Sequence, residues 1–363
     1  MTDPVNLLDL DKTSMEVFFT TIGEKSFRAT QILKWIYHQG VTDFDQMTNL
    51  SKDLRMALQT KACIPKLTIT DEQYSSDGTR KWLIRLDDNN CIETVFIPEN
   101  GRGTLCISSQ AGCPLDCSFC STAKQGFNRN LNVAEIIGQV WLAYQVLGYF
   151  QHRRRIITNI VFMGMGEPLL NYENVIRATN LMTDDDAFGL ARRRITISTS
   201  GIVPVMDRLK DDTNVSLAVS LQATNDELRN ELVPLNRRYP IEKLMSACRR
   251  YAQANAGTTI TIEYVMLDGI NDSTAEARQL IKLLHGIPAK INLIPFNPFP
   301  DTIYKCSSIE NIEAFRTILI NAGFITLTRK PRGNDIDAAC GQLAGKVLAR
   351  KRKKQNTSIG HAL

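Results

Sequence analysis

Thr104-Leu-Cys106-Ile-Ser-Ser-Gln-Ala-Gly-Cys113-Pro-Leu-Asp-Cys117-Ser-Phe-Cys120 sets both the fold and the chemistry of this 363-residue chain. Its opening residues, 104–108, form a short apolar run that reads as a buried strand. The remainder is a tight loop with cysteines spaced C-x3-C-x2-C. Three thiolates are one short of the four that a closed metal or cluster site takes, so a [4Fe-4S] cluster held there keeps one iron open for a substrate. The bland alternatives are three structural cysteines or half of a zinc site, which normally shows a second ligand pair nearby. No further C-x2-C or H-x3-H pair occurs, and His38, His152, His285 and His361 are scattered.

Beyond this stretch, short apolar runs alternate with helical ones. Candidate strands cover 104–108, 156–163, 194–198, 215–221, 259–265 and 290–294, with amphipathic helices such as 133–147 and 273–284 between them. Six strand-helix units predict an α/β fold, a parallel barrel, complete or partial, of (β/α)6 type whose active site lies at the carboxyl ends of the strands. The cysteine loop follows the first strand at that end. Upstream, 7–62 reads as helices with polar turns; Ile32, Leu33, Ile36 and Tyr37 recur at helical spacing within 26–38. Asp77-Gly78 then signals a turn, followed by hairpin strands at 81–86 and 91–97, with Glu93, Val95 and Ile97 on one face. The expected organisation is an accessory helical module over 1–70, a hairpin linker over 71–100, a core barrel over 101–330 and a carboxyl-terminal segment over 331–363.

Composition frames the chemistry. An apolar content of 43% with 22% charged residues is that of an ordinary globular protein. The first thirty residues include Asp3, Asp9, Asp11 and Lys12, and hold no uninterrupted apolar stretch that would make a signal peptide or a membrane span. A cytoplasmic setting is expected, where the nine cysteines stay reduced and available as thiolates. Net charge is +5, with basic runs at Arg153 to Arg155, Arg192 to Arg194, Arg237 with Arg238, and Arg350 to Lys354. Singly, each reads as a solvated helix end or loop; together they favour a nucleic-acid partner.

Other loops at the carboxyl ends of the strands carry polar groups suited to a ligand. Gly164-Met-Gly166-Glu167-Pro168 follows the second strand: its glycines admit close backbone approach, and its carboxylate can accept hydrogen bonds from an ammonium group. Ser198, Ser220 with Leu221 and Gln222, and Asn297 close later strands and could meet a ribose, carboxylate or adenine. In isolation each is equally a cap or turn residue.

The cysteine triplet, with an aromatic residue before its last member, resembles the signature of radical S-adenosylmethionine (SAM) enzymes, and the Gly164 to Pro168 loop resembles their motif for the SAM amino group. The resemblance sharpens in the segments Cys106 to Cys113, Ser121 to Asn130, Gly164 to Leu170, Ile262 to Met266, Asn292 to Pro298 and Arg332 to Leu343. These look like the RlmN family, which methylates carbon 2 of an adenosine in 23S ribosomal RNA and in the anticodon loop of certain transfer RNAs.

The resemblance implies one [4Fe-4S] cluster on Cys113, Cys117 and Cys120, and two SAM molecules per turnover. Adenine carbon 2 has no lone pair with which to attack an electrophilic methyl group, so a radical route is needed. In the implied mechanism, one SAM methylates Cys340, and a 5′-deoxyadenosyl radical from a second abstracts hydrogen from that methyl group. The resulting carbon radical adds to carbon 2, Glu93 accepts the carbon 2 proton, and Cys106 attacks the Cys340 sulfur to release product with a disulfide. Gly166, Glu167, Ser198, Ser220, Leu221, Gln222 and Asn297 are the implied SAM contacts. Glutamine stands at position 222 where many family members have histidine, which keeps a hydrogen bond but removes a titrating group.

Without the resemblance, Cys106 and Cys340 would pass as core cysteines, and Glu93 would be a carboxylate on an apolar strand face, costly if unpaired. Cys63, Cys91, Cys248 and Cys306 match no catalytic position and read as packing residues. A flavodoxin-type one-electron donor is expected, and a monomer is the default. Two rivals stay open: a carbon 8 methyltransferase of the same superfamily, and a noncatalytic iron-sulfur or zinc-stabilised RNA-binding module.

Overall fold

The Asp77-Gly78 turn begins the sheet that carries the site. Gly78 takes φ +85°, a conformation a side chain would strain, and its amide donates to the Ser75 carbonyl at 3.0 Å. The turn joins β1 (Thr68–Tyr74) to β2 (Arg80–Arg85), and a second turn, with Asn89 at φ +63°, leads into β3 (Cys91–Glu99). β3 pairs antiparallel with β4 (Arg102–Cys106). From β4 onward every pairing is parallel: β5 (Asn159–Phe162), β6 (Ile195–Thr199), β7 (Ser216–Ser220), β8 (Ile260–Met266), β9 (Ala289–Pro295) and β10 (Ile325–Thr328) follow in order. The structure, a computed structural model, describes residues 3–255 and 257–345, so the basic run at 350–354 lies outside the described residues.

The six expected core strands are present with bounds shifted by a few residues. Two strands of the ten-stranded sheet were missed, β1 and β10, which are its outer edges. Both are half exposed and so lack the buried apolar run that marked the others. β8, by contrast, is buried along its whole length, as a central parallel strand covered on both faces should be.

Helices wrap the parallel strands. Val133–Val146 and Thr274–Leu283 both start at capping boxes, Asn132 with Glu135 and Ser273 with Glu276. The amino-terminal helices Lys12–Thr21, Arg28–Leu33 and Lys52–Lys61 share one hydrophobic core with Val133–Val146. Asp9 accepts the Ala134 amide at 2.8 Å, and Trp141 Nε1 donates to the Ile36 carbonyl at 2.9 Å. The helix read over 26–38 is shorter than expected: regular turns end at Leu33 and a wider π turn covers Lys34–His38.

Candidate active site

The chain leaves β4 into a short ribbon, where Gln110–Gly112 pairs with Phe127–Asn130. Gly112 takes φ +83°, and a Cβ there would stand 2.0 Å from the Gly126 carbonyl oxygen, so only glycine fits. The Cys113 amide donates to that same carbonyl at 2.9 Å. The loop is held further along by the Ser118 amide donating to the Leu232 carbonyl at 3.1 Å and by the Tyr304 hydroxyl donating to Ser118 Oγ at 2.7 Å.

Cys113, Cys117 and Cys120 all line one cavity of about 150 Å3 at the carboxyl ends of the strands. Burial pushes all three thiols up, and their mutual repulsion adds to it for Cys113 and Cys117. Iron coordination would relieve that repulsion. Among the described residues no group of three or more His, Cys, Asp or Glu converges on a single ion position. Three thiols on one loop suit a cluster that keeps one iron open better than a structural zinc site, which takes four protein ligands.

The expected cofactor-binding residues gather around the same cavity: Gly166, Glu167, Ser198, Ser220, Gln222 and Asn297 all line it. Gly166, at φ +98°, packs where a Cβ would meet Gln110 at 2.5 Å. Glu167 is buried and accepts the amides of Leu169 at 3.0 Å and Ser200 at 2.8 Å; burial nevertheless pushes its carboxyl up to about 7. The Thr199 hydroxyl bonds to it as well, and three accepted bonds still leave room for a further donor. Gln222 sits at φ +66° and accepts the Val265 amide through Oε1 at 2.6 Å, so its amide shapes the end of β8. Leu221 does not line the cavity. Its side chain is in the core, and only its backbone reaches neighbours, through the Glu263 carbonyl at 3.0 Å and Arg229 Nε at 2.9 Å.

Cys106 and Cys340 line a second, adjoining cavity of about 370 Å3, and Cys340 lines both. The segment bearing Cys340 is strapped across the cysteine loop: the Ser121 amide donates to the Gly341 carbonyl at 2.8 Å, and Asn297 Nδ2 to the Cys340 carbonyl at 3.3 Å. Burial and the neighbouring Cys340 push the Cys106 thiol up, whereas Arg329, on the wall of the same cavity, acts the other way. All nine cysteines are free thiols.

Glu93 lies outside both cavities, and it is not unpaired as its apolar strand face suggested. Lys81 Nζ stands 3.2 Å from Oε1, and the Ala344 amide donates to Oε2 at 2.9 Å. Leu343, one residue before Ala344, lines both cavities, so the carboxyl-terminal segment stands between Glu93 and the cysteines. Cys63, Cys91 and Cys248 are buried or half-buried, but Cys306 is exposed and is no packing residue.

Two site residues escaped the sequence reading. Glu263 lines the first cavity, accepts Ser198 Oγ at 2.8 Å and lies 3.7 Å from Arg329. The signal for it was the same as for Glu93, a carboxylate within an apolar strand, here Ile262-Glu263-Tyr264-Val265-Met266. Arg329 follows the missed edge strand. Among the basic runs, Arg192 to Arg194 precedes β6, at the opposite end of the barrel from the site, and Arg153 and Arg155 donate to backbone carbonyls of His38, Phe188 and Gly189. Arg237 and Arg238 follow the helix Asp226–Leu232, which packs on the cysteine loop.

Comparison with known proteins agrees with this geometry. The family model for the ribosomal RNA large subunit methyltransferase N-terminal domain matches residues 5–64, and that for the radical SAM superfamily matches residues 107–281. The dual-specificity RNA methyltransferase RlmN of Marinobacter nauticus is 55% identical over 354 residues, which are 97% of this chain and 96% of that protein. The crystal structure of a radical SAM methyltransferase from Sphaerobacter thermophilus has a TM-score of 0.87 at 45% identity, covering 94% of this chain and 99% of that one. Among the described residues no helix is long and apolar enough to cross a membrane.

Proposed function

The chain belongs to the RlmN family of radical SAM enzymes, and from that premise we propose that it methylates carbon 2 of an adenosine in 23S ribosomal RNA and in the anticodon loop of transfer RNA. One observation carries the reading: Cys340 lines both the cavity walled by the cysteine triplet and the cavity walled by Cys106. A side chain that accepts a methyl group in one place and is resolved by a thiol in another needs that double frontage.

Cys113, Cys117 and Cys120 would hold a [4Fe-4S] cluster, with Gly166, Glu167, Ser198, Ser220, the Leu221 backbone, Gln222 and Asn297 around SAM. Cluster and SAM together supply both a methyl group and a one-electron route to a carbon radical. Cys340 carries the methyl-derived carbon to the adenine. Glu93 takes the carbon 2 proton while the adduct gives up its unpaired electron, for which the oxidised cluster would be the acceptor. This proton transfer requires residues 343–345 to move off Glu93 as RNA enters, because the Ala344 amide now occupies Oε2. The Cys106 sulfur then bonds to the Cys340 sulfur. The sulfur-carbon bond to the RNA breaks, and its electron pair takes up a proton to complete the product methyl group. Arg329 and the Met163 amide, which both oppose the rise in the Cys106 pKa, favour the thiolate that this attack needs.

The helical module ahead of the sheet serves RNA binding in this reading. A flavodoxin-type protein supplies electrons, and the enzyme works as a cytoplasmic monomer. Mass spectrometry of adenosine nucleosides from a strain overproducing the protein tests the reading: 2-methyladenosine rises if it holds. A rise in 8-methyladenosine would point to the carbon 8 rival, and no change to a noncatalytic binding module.

A further inference from the structure

Arg229 is a fully buried cation that forms no ion pair with a carboxylate among the described residues, although Asp226 acts on it from a distance. The arginine is 1% exposed, on the helix Asp226–Leu232. All its hydrogen bonds go to neutral acceptors: Nε to the Leu221 carbonyl at 2.9 Å, Nη1 to Asn236 Oδ1 at 2.8 Å, and Nη2 to the carbonyls of Ser200 at 2.7 Å and Ser220 at 3.2 Å. No carboxylate forms an ion pair with it. Asp226, the acid on its own helix, instead accepts the Ile241 amide at 2.8 Å and Asn236 Nδ2 at 2.9 Å. A buried charge is costly unless an opposite charge lies close.

The candidate for that opposite charge lies on the other side of Ser200. While the Ser200 carbonyl takes Arg229, its hydroxyl bonds to the Cys117 thiol, and the Cys117 and Arg229 charges act on each other. The helix bearing Arg229 also accepts the Ser118 amide through the Leu232 carbonyl, and Leu232, Val233 and Leu228 pack with Cys117 in one apolar cluster. Burial pulls the Arg229 pKa down to about 10, yet leaves it charged at neutral pH. Asp226, Glu227 and Glu231 on the same helix are exposed, and Glu167 is held by two backbone amides.

We infer that Arg229 is the counter-charge of the iron-sulfur cluster held by Cys113, Cys117 and Cys120, and that it raises the cluster's reduction potential. The inference rests on the cluster reading above. A [4Fe-4S] core on three thiolates carries net negative charge, which grows by one when a single electron enters with no bond made or broken. A nearby fixed cation in a low-dielectric site offsets that growth and so favours the reduced state. The same guanidinium holds the backbone of Ser200, Ser220 and Leu221, so charge and pocket shape are supplied by one side chain.

The test is an EPR-monitored redox titration of anaerobically reconstituted protein, without RNA and with dithionite as reductant, on wild type, Arg229→Gln and Arg229→Lys. Arg229→Gln should lower the midpoint potential by about 59 mV or more, a tenfold loss of reduced cluster at fixed potential. Arg229→Lys keeps the charge but loses the fork of hydrogen bonds, and should stay near wild type. A Gln variant with the wild-type potential, or a Lys variant that falls as far as Gln, would overturn the inference. Should Gln not fold, Lys alone decides: a held potential supports the counter-charge, and a tenfold loss refutes it. A wild type that binds no cluster would instead bring down the cluster reading, and the inference with it.

Discussion

Glu93 and Lys81 form an ion pair 3.2 Å apart beneath the carboxyl-terminal segment, with both side chains only 9% exposed. The pair holds the Glu93 carboxylate in place on a buried strand face, with the Ala344 amide on its other oxygen. It also ties the hairpin extension, which looks like a linker in sequence, to the chemistry of the barrel.

Glu93→Gln should therefore stop product formation without stopping methylation of Cys340. Peptide mass spectrometry should show methylated Cys340 at wild-type levels, while the yield of methylated RNA falls by about 10²-fold or more. The substitution also strands Lys81, and breaking a buried pair costs about 3–5 kcal/mol. The double variant Glu93→Gln with Lys81→Met should regain thermal stability and remain inactive. Activity in the stable double variant would remove Glu93 from the reaction.

The buried Glu167 carboxyl gives the metal-free protein a pH signature. Its pKa is about 7 in the folded chain, chiefly from burial, against 4.5 for the ordinary group. Between those values the folded chain retains a proton that the unfolded chain has released, so stability falls as pH rises through the window. Urea unfolding of apoprotein across pH 4.5 to 7 should show that fall, and Glu167→Gln should flatten it. Equal slopes in both proteins would mean that Glu167 is charged in the folded apoprotein throughout.

Gly112 and Cys117 test the cysteine loop from its two sides. Gly112→Ala forces a side chain into φ +83° and against the Gly126 carbonyl, at a cost on the order of 1–3 kcal/mol. The loop should shift, and iron content after reconstitution should drop although every ligand is present. Cys117→Ala leaves the loop conformation intact and should abolish the cluster outright, since two thiolates do not hold it. Cys117→Ala protein retaining about four irons per chain would contradict the ligand assignment.

What could be read from the sequence, and what could not, follows from where each residue's partners lie. The parallel strands and the cysteine loop were legible because a buried strand writes itself as a local apolar run and the three ligands sit within eight residues. β1 and β10 were not, because an edge strand is half solvated and leaves no such run. Glu263 and Arg329 are 66 positions apart and Arg229 bonds back to Ser200 across 29, so neither relationship has a local signature. The pairing of Glu93 with Lys81 was hidden for a subtler reason: the two are diagonal neighbours across the hairpin, and Leu83, not Lys81, is the direct partner of Glu93. The roles of Cys106 and Cys340 came only from family resemblance, since a buried cysteine in sequence is indistinguishable from a small apolar residue.

The division of labour between those two cysteines is the central claim, and a trapped intermediate tests it most directly. Cys106→Ala should complete addition to the RNA and then stall, giving a covalent protein-RNA species joined through Cys340, whereas Cys340→Ala should give none. Denaturing gels, nuclease digestion and peptide mass spectrometry of the two variants read this outcome without kinetic modelling. RNA-derived mass on the Cys340 peptide of Cys106→Ala is the predicted result; normal yields of methyladenosine from that variant, with no adduct, would contradict the account and return Cys106 to the core.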